Sequence, residues 1–114
     1  MLGHGGIGVV VNPKSVIGRN CVLAQNVTLA GKDGGAPFLD DWVYVGTNSV
    51  ILGGVHIGKN VFIGALTLVN KDIPDNAVVA GIPAHIIRFQ NKDQIKQNHD
   101  FWYKNGMPNL EEEL

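Results

Sequence analysis

The side chains best suited to acid–base chemistry in this chain are its four histidines. His4 lies within Gly3–Gly6, directly before a short run rich in valine. The glycines on either side have no side chains that would block an approaching substrate. A neutral imidazole titrates in the range needed to remove a hydroxyl proton. The pattern therefore favours His4 as a general base; the alternative is a polar residue near the start of the chain.

The other three histidines are weaker candidates. His56 precedes an apolar residue of the repeat described below and should point outward, His85 lies in a closing segment, and His99 lies further along the chain. A zinc site needs three or four converging ligands, and the spacing brings no three histidines together. The sequence therefore predicts no metal ion.

Cys21 is the single cysteine. A thiol beside a histidine could act as a nucleophile and form an acyl-enzyme. Cys21 falls at an inward position of the repeat, however, where a free cysteine behaves as a small apolar residue. One cysteine cannot form an intrachain disulfide, which favours a reducing compartment. We therefore expect Cys21 in the core and the protein in the cytoplasm.

The composition argues against several classes of partner. The formal net charge of −1 over 114 residues does not supply the concentrated positive surface that nucleic-acid binding needs. No apolar run approaches the roughly 18 residues that span a bilayer, and no signal peptide follows Met1. The 15 glycines and the excess of Val and Ile over Leu favour short strands joined by tight turns.

A six-residue repeat indicates the architecture. Steps of six, with one longer step in the middle, reach an aliphatic residue ten times. These residues are Val11, Ile17, Leu23, Leu29, Leu39, Val45, Ile51, Ile57, Ile63 and Val69. Four places after most of them stands a small or β-branched residue: Ser15, Cys21, Val27, Val43, Ser49, Val55, Val61 and Thr67.

Six residues accommodate one short strand and one bend, with a single long aliphatic side chain pointing inward. Three strands complete a triangular coil, and each coil hydrogen-bonds to the next as a parallel sheet. We therefore predict an all-β fold, a parallel β-helix of about four coils, with Ile17, Leu39 and Ile57 in one row. Burial of all ten aliphatics would contribute about 15–30 kcal/mol of gross apolar free energy, most of it opposed by ordering of the backbone.

Two segments depart from the repeat. The longer step, Ala30–Pro37, contains three glycines and predicts a loop extruded at a corner of the coil. Near the C-terminus, Asn91–Gln94 is typical of a capping box and predicts a short helix. We expect Ile95, Phe101 and Trp102 to dock it on the last coil, with its end at Gly106-Met107-Pro108 and an acidic tail at Glu111 to Glu113.

We therefore divide the chain into a hexapeptide-repeat β-helix, residues 1–88, and a C-terminal helical cap and tail, residues 89–114. The tail is expected to be solvated; a partner-binding tail is the alternative.

Two stretches carry a resemblance to a known family. Val16-Ile17-Gly18-Arg19-Asn20-Cys21 with Gln25–Leu29, and Lys71–Asn76 with Val79–Ala84, resemble the bacterial hexapeptide-repeat acyltransferases. The similarity is greatest to serine acetyltransferase and related sugar O-acetyltransferases, and it runs from His4 to about Arg88. It implies a left-handed coil, a homotrimer, and transfer of an acetyl group from acetyl-CoA to a hydroxyl of a small acceptor.

The resemblance also implies roles for individual residues. His4 matches the family's catalytic base, with one extra residue before the aliphatic run. Acetyl-CoA lies in this family along a groove between subunits, which implies contacts with small corner residues, with basic residues near the CoA phosphates and with backbone N–H groups near the oxyanion. The residues implied are Gly31, Gly46, Thr47, Gly64, Ala65, Lys71 and Arg88. The alternative explanation for the glycines is turn geometry, and for the basic residues it is an ordinary solvated surface.

Two departures from the family pattern are visible. The family's loop supplies a second histidine near its end, where this chain has Gly35-Ala36-Pro37-Phe38. The aspartate that orients the family's histidine lies upstream, so Gln25 or Asn26 on the next coil is the expected substitute. These departures favour an O-acetyltransferase for serine or a sugar over a strictly serine-specific enzyme. They also leave a second hypothesis, a non-catalytic β-helix scaffold or a truncated acyltransferase domain.

Overall fold

The structure, a computed structural model, describes residues 2–105, with only the backbone for His4 and residues 102–105. Ten two-residue strands follow one another, and the second residue of each is one of the ten aliphatics of the repeat. The strands are β1 Val10–Val11, β2 Val16–Ile17, β3 Val22–Leu23, β4 Thr28–Leu29, β5 Phe38–Leu39, β6 Tyr44–Val45, β7 Val50–Ile51, β8 His56–Ile57, β9 Phe62–Ile63 and β10 Leu68–Val69. The predicted parallel β-helix is confirmed.

The strands stack in three sheets, one on each flat of the coil. The first flat holds β1, β4, β7 and β10, the second holds β2, β5 and β8, and the third holds β3, β6 and β9. On the second flat, Ile17 pairs with Leu39 and Leu39 pairs with Ile57, all in parallel register. The row predicted from the repeat is therefore present.

The core is a column of aliphatic side chains inside the coils. Leu23 and the seven register residues after it are buried, but Val11 and Ile17 are 39% and 40% exposed. The expectation that all ten would be buried is wrong for these two. They belong to the first coil, which packs against a neighbouring coil on one side only.

A left-handed residue makes the bend after most strands. The third residue after the register aliphatic has φ between 57° and 78° at Asn20, Asn26, Trp42, Asn48, Gly54, Asn60 and Leu66. Asparagine and glycine adopt this conformation most readily. Asparagines three places after an aliphatic are therefore a sequence signal for these bends, and the six-residue count of aliphatics does not include it.

The solenoid closes with a hairpin that the repeat did not predict. Strand β11, Ala77–Ala80, continues the third flat by pairing in parallel with β9, and β12, His85–Phe89, returns antiparallel to β11. The connecting turn contains Gly81, with φ 105°, and a cis Ile82–Pro83 peptide bond. Strand β12 continues across residues 88 and 89, between which the sequence predicted a boundary. The division of the chain into two parts stays a prediction.

The C-terminal helix is α1, Lys92–Asn105. Its predicted capping box is confirmed, because the Gln94 N–H donates to Asn91 Oδ1 (2.8 Å) and the Asn91 N–H donates to Gln94 Oε1 (3.3 Å). Within residues 2–105, no helix combines the length and apolar character needed to cross a bilayer. The contacts predicted for Trp102, the helix end at residues 106–108 and the tail at residues 111–113 lie outside what the structure describes.

Helix α1 lies against the third flat. The His99 ring stacks on Trp42, with centroids 3.7 Å apart, and its Nε2 lies 2.7 Å from Asn60 Oδ1. Partial burial in this contact lowers the pKa of His99 below its ordinary value. Ile95 lies with Phe62 of the third flat in the lining of the same crevice. The helix is therefore held by aromatic stacking and hydrogen bonds, and His99 has a structural role.

Candidate functional site

His4 lies where the third flat turns into the first. It belongs to a short 3₁₀ helix, Gly3–Gly6, that precedes β1. Leu2 forms a parallel bridge with Leu23, and a Cβ added at Gly3 would lie 3.3 Å from the Cα of Ala24. The chain therefore enters this corner directly over the second coil.

The first coil uses more residues at this corner than the second. The Ile7 carbonyl accepts a hydrogen bond from the Asn26 N–H (2.9 Å), so the regular register between the two coils resumes at Ile7. Gly3 lies over Ala24 and Ile7 corresponds to Gln25, so His4–Gly6 are three extra residues at this corner of the first coil. Gln25 and Asn26, the two residues expected to orient the imidazole, therefore lie beside Ile7 and Gly8, directly after these extra residues.

The next two coils continue the same corner. The Gln25 carbonyl accepts a hydrogen bond from Thr47 Oγ1 (3.0 Å). The Thr47 carbonyl accepts one from the Leu66 N–H (2.9 Å), beside Ala65. His4, Thr47 and Ala65 therefore share one edge of the solenoid. We call it the His4 corner, comprising residues 3–7, 24–26, 46–48 and 64–66.

Two glycines of the His4 corner have different packing requirements. A Cβ added at Gly46 would lie 2.6 Å from the Ala65 nitrogen and 2.8 Å from the Gly64 carbonyl carbon. A Cβ added at Gly64 would meet nothing closer than 3.4 Å, which is ordinary contact. Packing alone therefore explains Gly46, whereas it does not explain Gly64.

We expect Gly46→Ala to destabilise the fold by about 1–3 kcal/mol, because the new methyl group overlaps backbone atoms that cannot move independently. Gly64→Ala is the matched control and should be neutral or slightly stabilising, since alanine also restricts the unfolded chain. Urea unfolding followed by circular dichroism measures both free energies. Equal losses in the two variants would contradict the assigned difference in packing.

Three residues predicted to bind CoA lie away from the His4 corner in the same chain. Gly31 follows β4 and Lys71 follows β10, so both lie where the first flat turns into the second. Arg88 lies on β12, where its Nη1 donates a hydrogen bond to Gln94 Oε1 (2.9 Å). Within one chain, the structure therefore brings together His4, Gly46, Thr47, Gly64 and Ala65 but not these three.

The loop of residues 30–37 folds back on the solenoid. Lys32 and Gly35 exchange backbone hydrogen bonds of 3.0 and 2.8 Å and form a tight turn. A Cβ added at Gly53 on the next coil would overlap the Gly35 carbonyl oxygen and the Lys32 nitrogen. The predicted loop is therefore present at a corner, and it packs closely on the next coil.

Phe38, directly after this loop, meets another of the histidines. Its ring centroid lies 4.5 Å from that of His56, whose Nε2 lies 4.0 Å from Asp40 Oδ2. His56 is exposed and points outward, as predicted, and His85 is also exposed. Among the side chains that the structure describes, which exclude that of His4, no three from His, Cys, Asp or Glu lie close enough together to hold a metal ion.

Cys21 belongs to the core, as predicted. It is 2% exposed, and its thiol donates a hydrogen bond to the Asp40 carbonyl at 3.1 Å. Burial raises the pKa of the Cys21 thiol above its ordinary value. Because a nucleophilic cysteine needs an accessible thiolate, the acyl-enzyme alternative is not supported.

Comparison with known proteins identifies relatives of the β-helix. No protein-family model matches the chain. The chain is 41% identical over 86 residues to a serine acetyltransferase of Synechococcus elongatus, covering 72% of this chain and 35% of that protein. It is 37% identical over 97 residues to a serine acetyltransferase of Bacillus pumilus, covering 82% and 44%. The chain thus spans less than half the length of these relatives.

Solved structures show the same relationship. The serine acetyltransferase of Brucella abortus in complex with coenzyme A superposes with a TM-score of 0.75 at 33% identity, covering 80% of this chain and 38% of that chain. That of Neisseria gonorrhoeae in complex with serine gives 0.71 at 40% identity, covering 75% and 36%. The resemblance inferred from the sequence is therefore confirmed for most of the β-helix.

Proposed function

Because the β-helix of this chain is homologous to those of the serine acetyltransferases, we propose that the protein transfers an acetyl group from acetyl-CoA to a hydroxyl of a small acceptor, serine or a sugar. The observation that carries this proposal is the His4 corner. There, the hydrogen-bonded coils align His4 with Thr47 and Ala65 on one edge of the solenoid. A carrier arm lying along that edge would bring its thioester to the histidine.

The proposed reaction is direct transfer. His4 removes the proton of the acceptor hydroxyl as the oxygen attacks the thioester carbonyl. The tetrahedral intermediate collapses, the carbon–sulfur bond breaks, and the imidazolium returns the proton to the departing CoA thiolate. The products are the O-acetylated acceptor and free CoA. Burial of Cys21 supports a route without an acyl-enzyme.

The remaining assignments require a neighbouring subunit. We propose a homotrimer in which CoA lies between subunits, with Gly46, Thr47, Gly64 and Ala65 on one wall of the groove. Gly31 and Lys71 share a different corner of the chain, so we assign them to the opposite wall, contributed by the neighbour. The backbone near Gly31 would meet the oxyanion, and Lys71 and Arg88 would meet the CoA phosphates.

We also assign the protein to the cytoplasm, on the basis of the single buried free thiol of Cys21.

We expect the purified protein to release free CoA from acetyl-CoA in the presence of serine or of at least one sugar in an acceptor panel. CoA alone should raise the melting temperature, because a ligand that binds only the folded state stabilises it, by about 2.7 kcal/mol at a hundredfold excess over Kd. A thiol-trapping reagent and a thermal shift assay measure the two effects. Absence of both would favour the non-catalytic scaffold.

A further inference from the structure

The outward-facing side chains of the third flat are apolar. Val22 pairs with Tyr44, Tyr44 with Phe62, and Phe62 with Val78, all in parallel register. Val22, Phe62 and Val78 are only 2–4% exposed. Tyr44 is half-buried, and burial raises the pKa of its phenol above the ordinary value. We call these four residues the third-flat strip.

Outward side chains elsewhere on the solenoid are more exposed. Val10 on the first flat is 60% exposed, and Val16 and Phe38 on the second flat are 50% and 39% exposed. A side chain that points away from the core faces solvent unless another element covers it. Helix α1, which lines a crevice together with Tyr44 and Phe62, supplies that cover at the middle of the third-flat strip.

Stacking and hydrogen bonds hold α1 on the third flat. His99 stacks on Trp42, its Nε2 lies 2.7 Å from Asn60 Oδ1, and Asn98 Nδ2 donates a hydrogen bond to Gln90 Oε1 (2.9 Å). Most of the fourteen residues of α1 are polar or charged. An isolated helix of about this length is marginal in water. The helix therefore depends on its contacts with the solenoid, and weakening them should release it.

Trp42 is the solenoid residue that departs from its neighbours to make this contact. Its φ is 62°, and Asn20 and Asn60, at the same position on the adjacent coils, both have φ 58°. Asparagine tolerates the left-handed conformation, which is unfavourable for a bulky side chain. The indole stacks on His99 with ring centroids 3.7 Å apart. The strain at Trp42 is thus offset by the docking of α1.

We propose that the third-flat strip is a self-association surface and that α1 blocks it, so that release of α1 allows the strips of two copies of the chain to pack together. The strip carries no charge, so two copies bury no unpaired ionised group when they meet. The rings of Tyr44 and Phe62 are stacked, with centroids 4.7 Å apart and an interplanar angle of 13°. Apolar sheet faces of this kind pack on one another about 10 Å apart.

A second copy is the partner that such a strip fits. A two-fold symmetric contact requires a patch that is complementary to itself, and an uncharged apolar strip meets that requirement. Docked α1 would then confine contacts between copies to the other faces of the solenoid. This property of the chain is independent of the proposed acetyl transfer.

The test is Trp42→Asn, which places at this corner the residue of the adjacent coils and removes the stacking partner of His99. Backbone amides of α1 should exchange with deuterium about tenfold to a hundredfold faster. The sedimentation coefficient should exceed that of the unmodified protein and should rise with concentration. The β-sheet circular dichroism should persist, because asparagine suits the corner. Hydrogen exchange with mass spectrometry and analytical ultracentrifugation measure the two main effects.

Three further variants separate docking from association. His99→Ala removes the same stack from the helix and leaves the solenoid unaltered, so it should produce both effects. Leu66→Asn is the matched control for exchange, because it replaces another bulky left-handed residue, with φ 57°, at a different corner, and exchange in α1 should not change. Tyr44→Lys, added to Trp42→Asn, places a charge in the strip and should abolish the association while α1 stays released.

Each result decides the matter in one direction. Unchanged exchange of α1 in Trp42→Asn and His99→Ala would show that the stack does not hold the helix. Release of α1 with unaltered sedimentation would exclude the third-flat strip as an association surface, and so would an association that survives Tyr44→Lys. Should Trp42→Asn fail to fold, His99→Ala alone distinguishes these outcomes.

Discussion

His4→Ala is expected to lower kcat for CoA release by about 10²–10⁴-fold, because the acceptor hydroxyl would lose the base that removes its proton. The thiol-trapping assay with the best acceptor measures this loss. CoA binding and the melting temperature should change little, since His4 is not among the proposed CoA contacts. Full activity in His4→Ala would exclude the proposed mechanism.

The matched controls for this variant are His56→Ala and His85→Ala. Both histidines are exposed, and they lie on other strands, His56 on β8 and His85 on β12, so the proposed mechanism assigns them no proton transfer. A similar loss of kcat in all three variants would show that the effect does not arise from a single general base.

Ile57→Ala is expected to lower the free energy of unfolding by about 2–5 kcal/mol, the usual effect of truncating a large buried aliphatic side chain. Ile57 is 0% exposed and lies in the middle of the solenoid. Urea denaturation of the purified variant measures the change.

The same substitution at Ile17 provides an internal control. Ile17 stands in the same row, two coils away, but is 40% exposed in the first coil. Ile17→Ala should therefore cost much less than Ile57→Ala, because less surface returns to water. Equal losses would mean that the first coil is covered as completely as the middle of the solenoid.

The strands were predictable because one physical requirement recurs at every strand. Each two-residue strand needs one inward aliphatic, so the positions of Val11 to Val69 mark all ten strands of the repeat. The loop at residues 30–37 was predictable for the same reason, because the six-residue spacing of the inward aliphatics is interrupted there. The exposure of Val11 and Ile17 was not, because the repeat identifies an inward side chain but not whether another coil covers it.

The closing hairpin lacks such a recurring requirement. The sequence Val78–Val79 is equally typical of another coil strand and of one strand of a hairpin. In the structure, the register of the pairing with β12 shifts between these two residues. The direction of β12 depends on the turn at Gly81, which the six-residue count does not reach. The left-handed corners did leave a signal in Asn20, Asn26, Asn48 and Asn60.

The candidate site was predictable only in part. Stacking of Gly46 and Thr47 on Gly64 and Ala65 follows from their separation of one coil, and the structure contains it. The placement of His4 above them required the irregular path of residues 3–7, which no repeat describes. The left-handed conformation of Leu66 was not predicted, because nothing in the side chain of a leucine indicates it.

Regular stacking of the coils makes the His4 corner a molecular ruler. Each coil adds one strand spacing of about 4.8 Å, so the span from His4 to Leu66 is an integer number of equal increments. Removing or duplicating a single internal coil would shorten or lengthen that span by one increment while preserving the local geometry at both ends. Under the proposed function, the number of coils between these two residues would set how much of the acyl carrier fits along the corner.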